Sequence, residues 1–136
     1  MSNNVYFSVD GDDVGKLIER GLLENDELFL KETSMHIKQW LEKLTSIIVG
    51  VNGTVLMSGG DMLLAIISAD CIEKVLSELS VLQKTFSFTC SAAVGRSMPE
   101  VYFALKLAKS KGKNHFIKLI DNNYQPISET KIVQRT

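Results

Sequence analysis

Two carboxylates in this chain stand where they could act on one substrate. Asp10 closes a segment in which Val5, Phe7 and Val9 alternate with Tyr6 and Ser8, the period-two pattern of a strand. Asp61 ends a Ser58-Gly59-Gly60-Asp61 turn between two short apolar runs, which reads as the tip of a β-hairpin. If that hairpin packs beside the first strand, as sequential elements usually do, the two acids converge at one end of a sheet. Paired carboxylates suit Mg²⁺ or Mn²⁺, which take few protein ligands and leave places for water and phosphate oxygens. The plainer alternative makes Asp61 a turn residue and Asp10 a cap. Directly after Asp10 comes Gly11-Asp12-Asp13-Val14-Gly15. A glycine-bearing loop that leaves a strand and opens a helix can turn its backbone N–H groups toward a phosphate chain. Asp12 and Asp13 would repel that chain unless a cation lay between. Asp13 also has a simpler reading, as the N-cap of the helix beginning at Val14. Four lysines, Lys106, Lys109, Lys111 and Lys113, cluster late in the chain. Each could simply favour a helix carboxyl end, but Lys109 and Lys113 are four apart and together could clamp a phosphate tail.

The elements that must carry these residues follow from periodicity. A strand over Asn4–Asp10 leads into a helix from Val14 to about Glu24. Asn25 reads as the cap of a long second helix, with Ile37, Trp40, Leu41, Leu44, Ile48 and Val51 on one face and Asn52-Gly53 at its close. The hairpin strands are Thr54–Met57 and Met62–Ser68. A third helix spans roughly Asp70–Lys84, and a mostly apolar central strand runs from Phe86 to Val94. Ser97-Met98-Pro99-Glu100 has the form of a capping box before a helix that stops at Gly112. A strand over His115–Ile120 follows, then a turn and an edge strand near Lys131–Val133. The order predicts an α+β fold: a ferredoxin-like or polymerase-palm βαββαβ antiparallel sheet with helices on one face, in one domain spanning residues 1–136.

Composition narrows the classes. Hydrophobic residues are 45% and charged residues 23% of 136, the balance of an ordinary globular domain and not of a disordered polymer. The net charge of −1 lacks the basic excess that a grip on duplex nucleic acid needs. The longest apolar run, Met62–Ile67, falls far short of the roughly 20 residues of a membrane helix. Cys71 and Cys90 have neither metal-ligand nor disulfide-framework spacing, so a reduced, cytoplasmic protein is expected. Neither a P-loop nor a dinucleotide-binding glycine motif occurs. His36 and His115 have no partner at motif spacing and read as structural, while Trp40 and the methionines read as core or interface filling.

At this point the residues reach a resemblance. Ala104-Leu105-Lys106-Leu107-Ala108-Lys109-Ser110-Lys111-Gly112-Lys113-Asn114 is similar to the A-L-x-x-A-K-x-x-G-[RK]-N stretch of GGDEF-type nucleotide cyclases. Ser58-Gly59-Gly60-Asp61 resembles their signature hairpin, Val9-Asp10-Gly11-Asp12 their metal-binding strand end, and Thr89 to Gly95 their central strand. The four fall in the family's order over nearly the whole chain. The Gly11-Asp12-x-x-Gly15 loop and the small size resemble the minimal CRISPR polymerases, single palm domains linked to antiviral signalling. Two departures stand out. Met62 replaces the second hairpin acid, and the guanine-reading run of diguanylate cyclases is missing after the first strand, which argues against a GTP-only enzyme.

The expectation is therefore a metal-dependent nucleotidyltransferase that joins NTPs, with ATP favoured, into a cyclic di- or oligonucleotide messenger read by a separate effector protein. Asp10, the Gly11 carbonyl and Asp61 would hold Mg²⁺ or Mn²⁺. Gly11, Asp12, Asp13, Val14, Gly15, Gly60, Lys109 and Lys113 would bind the nucleotide. Because a cyclic product needs two facing NTPs, a homodimer is expected. The competing readings are a ring-opening GTP cyclohydrolase of the same fold and a nucleotide-binding sensor without turnover, which Met62 keeps open.

Overall fold

The computed structural model describes residues 3–119 and 126–133. Along the chain run β1 (Asn4–Gly11), α1 (Val14–Leu23), α2 (Glu27–Gly50), β2 (Thr54–Gly59), β3 (Met62–Ser68), α3 (Ile72–Gln83), β4 (Cys90–Gly95), α4 (Met98–Ser110), β5 (His115–Leu119) and β6 (Pro126–Lys131). A short 3₁₀ turn, Ala69–Cys71, leads into α3. The strands form one sheet in the order β2-β3-β1-β4-β5-β6. β1 is central, antiparallel to β3 on one side and to β4 on the other. β5 joins parallel to β4, and β6 antiparallel to β5. The first four strands thus make the expected βαββαβ palm.

Side chains on successive strand positions point to opposite faces, and both faces of this sheet are covered. Val5, Phe7 and Val9 of β1, Leu63, Ala65 and Ile67 of β3, and Ala92 and Val94 of β4 meet Trp40, Leu44 and Ile48 of α2 and Ile72, Val75 and Leu79 of α3. On the other face Ala93 and Ile117 meet Val101, Ala104 and Ala108 of α4, with Tyr6 and Leu64 packed alongside. The one-face layering expected from sequence therefore holds for the helices inside the βαββαβ unit and not for α4. Both α3 and α4 connect co-directional strands and step the same way across the sheet. Lying on opposite faces, they have opposite hands, so one departs from the right-handed preference of such crossovers. That preference is what would have placed α4 beside α3.

Several boundaries shift for local reasons. Asn25 does not cap α2; it takes a left-handed backbone (φ 54°), which Asn tolerates. Asp26 supplies the cap, accepting from the Phe29 N–H at 3.0 Å. The fourth strand begins at Cys90 rather than Phe86. Phe88 is drawn out of the strand pattern into the core, edge-on to Trp40 at 5.2 Å between centroids. Gln83, fully buried, fixes this corner by accepting the Trp40 indole N–H and donating to the Phe88 carbonyl at 2.9 Å. The edge strand is Pro126–Lys131, not Lys131–Val133. Ile132 and Val133 are instead buried, held by Ser80 Oγ donating to the Ile132 carbonyl at 2.7 Å. Ile120, the expected end of the fifth strand, lies outside the described residues. No helix is long and apolar enough to cross a membrane among the described residues.

Candidate active site

The end of β1 carries the site because the ladder itself brings the acids together. Asp10 is the residue opposite Met62 on β3 and Ser91 on β4. One residue on, the Gly11 N–H donates to the Asp61 carbonyl at 2.8 Å. This bond pins the hairpin tip against the strand end. A Cβ on Gly11 would stand 2.8 Å from Val14 Cγ2 and 3.5 Å from Asp61 Cβ, so a side chain here would wedge into the junction. Gly60 turns the hairpin with φ +59°, the left-handed backbone for which glycine carries no steric cost.

The Asp10 carboxyl senses the groups around it. Burial pushes the Asp10 carboxyl up from its ordinary value, the Lys109 ammonium pulls it back, and the neighbouring Asp61 carboxylate raises it again. By strand parity Asp10 faces the α4 side, and there Lys109 of α4 reaches it, Nζ to Oδ2 3.4 Å. The same Nζ lies 3.4 Å from Asp12 Oδ1 and 3.5 Å from the Gly11 carbonyl. A divalent cation fits the donor set of Asp10, the Gly11 carbonyl and Asp61. All are hard oxygens, and a cationic ammonium already rests on two of the three residues. The described residues hold no group of three His, Cys, Asp or Glu side chains arranged for a metal, so water and phosphate oxygens would complete the shell.

Asp12 lies beneath the loop. Its side chain is 2% exposed and its oxygens are occupied. Oδ1 accepts from Ser91 Oγ at 2.7 Å; Oδ2 accepts from Thr89 Oγ1 at 2.7 Å and from the Asn114 N–H at 2.8 Å. Its own N–H is spent on the Thr89 carbonyl at 2.9 Å. The Asp12 carboxylate is therefore taken up by protein donors and holds the loop from below. Asp13 stands at the N-cap position of α1 but has φ 58° and caps nothing with its side chain. Its carboxylate pairs instead with Lys113 and, at 3.6 Å, with Lys16. The hydrogen bond from Lys113 holds the Asp13 carboxyl below its ordinary value and Lys113 above its own. Lys113 does not share a helical face with Lys109, since α4 ends at Ser110. It arrives through a left-handed turn, Lys113 at φ 65° and Asn114 at φ 54°. Lys106 is turned away onto the Tyr102 ring, 5.0 Å from its centroid.

The amides of Asp13, Val14 and Gly15 make no hydrogen bond with the described residues, as the first turn of a helix leaves them. Val14 and Gly15 border a cleft of about 510 Å³ that is also lined by Ile18, Ser34, Ile37, Lys38, Leu41, Gly60 and Asp61. Nothing lies within 4 Å of where a Gly15 Cβ would stand. Sequence reading placed Ile37 and Leu41 in the core and passed over Ser34 and Lys38. The available signal was a polar pair four apart, flanking the apolar stripe of α2. Asn114 closes the cyclase-like stretch in the sequence but was given no role there; its side chain donates to the Val133 carbonyl at 2.7 Å and accepts the Val133 N–H at 3.2 Å. His36 lines a separate cavity of about 190 Å³ beside Phe29 and Phe88, and His115 Nδ1 bonds to the Lys113 carbonyl at 2.6 Å. Neither enters the site.

A sheet end with paired acids, an open helix N-terminus, Lys109 from α4 and Lys113 from the turn beyond it defines a palm domain of the nucleotide cyclase and polymerase class. Residues 6–119 match the family model described as the minimal CRISPR polymerase domain, mCpol. The chain belongs to that family. Solved structures agree on the fold. The Csm1–Csm4 cassette in complex with one ATP matches with a TM-score of 0.72 at 17% identity, over 85% of this chain and 20% of that one. The GGDEF domain of YfiN from Pseudomonas aeruginosa matches at 0.67 and 9% identity, over 88% and 82%. A diguanylate cyclase/phosphodiesterase from Caldicellulosiruptor saccharolyticus matches at 0.62 and 16% identity, over 88% and 78%. No curated protein matches the sequence.

Proposed function

We propose that this palm domain joins nucleoside triphosphates into a cyclic di- or oligonucleotide messenger, at the site between β1, the β2–β3 hairpin and α1. The observation that carries the reading is the convergence of Asp10, the Gly11 carbonyl and Asp61 beside unpaired helix-end amides and an open cleft. Ile18, Ile37 and Leu41 offer apolar walls to a nucleoside, and Ser34 and Lys38 offer polar groups to its edge. The Val14 and Gly15 amides, at the positive end of α1, take up phosphate oxygens, and Lys109 and Lys113 neutralise the outer phosphates. Asp10, Asp61 and the Gly11 carbonyl would hold Mg²⁺ or Mn²⁺, which supplies charge neutralisation at the α-phosphate and lowers the pKa of the attacking hydroxyl. A ribose hydroxyl oxygen bonds to the α-phosphorus, pyrophosphate leaves, and the hydroxyl proton passes to solvent. The chain's own contribution is alignment and charge.

ATP is the favoured substrate: guanine-reading residues are missing after β1, and one neighbour was solved with ATP. Closing a ring from two NTPs calls for two facing sites, hence a homodimer, and a separate effector protein would read the product. One observation favours a second reading, a nucleotide sensor. Met62 lies directly opposite Asp10 in the β1–β3 ladder, where a second acid would strengthen the cation site. The test is product mass spectrometry after incubation with each NTP and Mg²⁺ or Mn²⁺. A cyclic or short linear oligonucleotide supports synthesis and names the base. Stoichiometric binding without turnover supports the sensor, and formate release from GTP would identify the cyclohydrolase.

A further inference from the structure

We infer that Lys109 is a built-in placeholder for the divalent cation, so that the cation and the nucleotide must enter the site together. The inference rests on the metal-site reading above and concerns how that site is regulated. Lys109 Nζ stands 3.4 Å from Asp10 Oδ2, 3.4 Å from Asp12 Oδ1 and 3.5 Å from the Gly11 carbonyl. It thus competes for Asp10 and Gly11, two members of the donor set. Asp12 is not free to follow a departing ammonium. Its oxygens are anchored by Thr89, Ser91 and the Asn114 N–H, so the seat stays in place when the lysine leaves. A doubly charged ion and an ammonium on the same oxygens repel strongly at this depth. A cation alone must therefore push Lys109 off Asp10 and the Gly11 carbonyl, leaving it only Asp12 and solvent.

A triphosphate changes the balance by offering Lys109 an alternative anion. Lys113 is held in the same way, on Asp13, so both lysines are stored on the acidic loop until phosphate arrives. The two ligands then raise each other's affinity by the same factor, as linkage requires.

The test is calorimetric Mn²⁺ titration of the full chain, with and without a non-hydrolysable ATP analogue, in wild type, Lys109→Met, Lys109→Gln and Asp10→Asn. Folding of each is checked by thermal melting, and the glutamine variant stands in if the methionine variant fails to fold. Without nucleotide, the Lys109 variants should bind Mn²⁺ about tenfold more tightly than wild type, because the competing occupant is gone. The enhancement by the ATP analogue should be large in wild type and reduced in the variants. Equal or weaker Mn²⁺ binding in folded Lys109 variants overturns the inference. If Asp10→Asn abolishes Mn²⁺ binding in that case, the metal site stands and only the placeholder fails. If no variant or wild type binds Mn²⁺ even with nucleotide, both readings fall.

Discussion

Asp12→Ala separates a positioning role from a ligand-contacting one. The carboxylate accepts three hydrogen bonds of 2.7 to 2.8 Å, from Ser91, Thr89 and the Asn114 N–H, and pairs with Lys109 at 3.4 Å. The two hydroxyls can rotate toward other acceptors after truncation. The Asn114 N–H cannot, and a buried donor left unpaired costs about 1–3 kcal/mol. Lys109, itself about a third exposed, loses one of its two counter-charges but keeps Asp10, which adds little. Against a total stability of about 5–15 kcal/mol, Asp12→Ala should lower urea-unfolding stability by about 1–3 kcal/mol and Tm by roughly 4–10 °C. Asp12→Asn should fall between, since one amide end must face Lys109 or the Asn114 N–H. A loss under about 1 kcal/mol for Asp12→Ala would refute the view of Asp12 as the loop's buried anchor.

Burial holds Asp10 above its ordinary value of 3.8, so the folded state keeps this proton to higher pH than the unfolded chain does. Ionising Asp10 therefore costs stability as pH rises through that window, and nothing below it. Asp10→Asn should raise the metal-free Tm at pH 7, with the gain fading once pH falls below the ordinary carboxylate value, as melts across pH would show. Gly15→Val should fold and melt like wild type, because open space surrounds its Cβ position, yet lose nucleotide binding by filling the cleft, read by titration with an ATP analogue. Trp40→Ala, which empties a fully buried site and leaves Gln83 without its indole donor, should cost about 3–5 kcal/mol in urea unfolding.

The sequence showed the strand-end and hairpin acids because each sits beside glycine at a break in a clear period. The ladder then brings these two acids, distant in the chain, to one strand end through Asp10 opposite Met62. The face chosen by α4 was not legible, since crossover hand follows from packing of the whole sheet and not from Val101, Ala104 or Ala108 themselves. Asp12 read from sequence as a loop acid at the nucleotide. Its burial depends on Thr89 and Asn114, which lie 77 and 102 positions away, and no local pattern encodes that. Ser34 and Lys38 were hidden for the opposite reason. They border a stripe regular enough to be read wholly as core, while α1 stops short of covering it and leaves the cleft.

The central claim is that the acids at the end of β1 and at the hairpin tip perform nucleotidyl transfer. Its most direct test is pyrophosphate release from ATP with Mn²⁺, measured for wild type, Asp10→Asn and Asp61→Asn at matched folded concentration. Wild type should release pyrophosphate, with a loss of at least about 100-fold in each variant while both still melt cooperatively. Release that persists undiminished in either folded variant would contradict it.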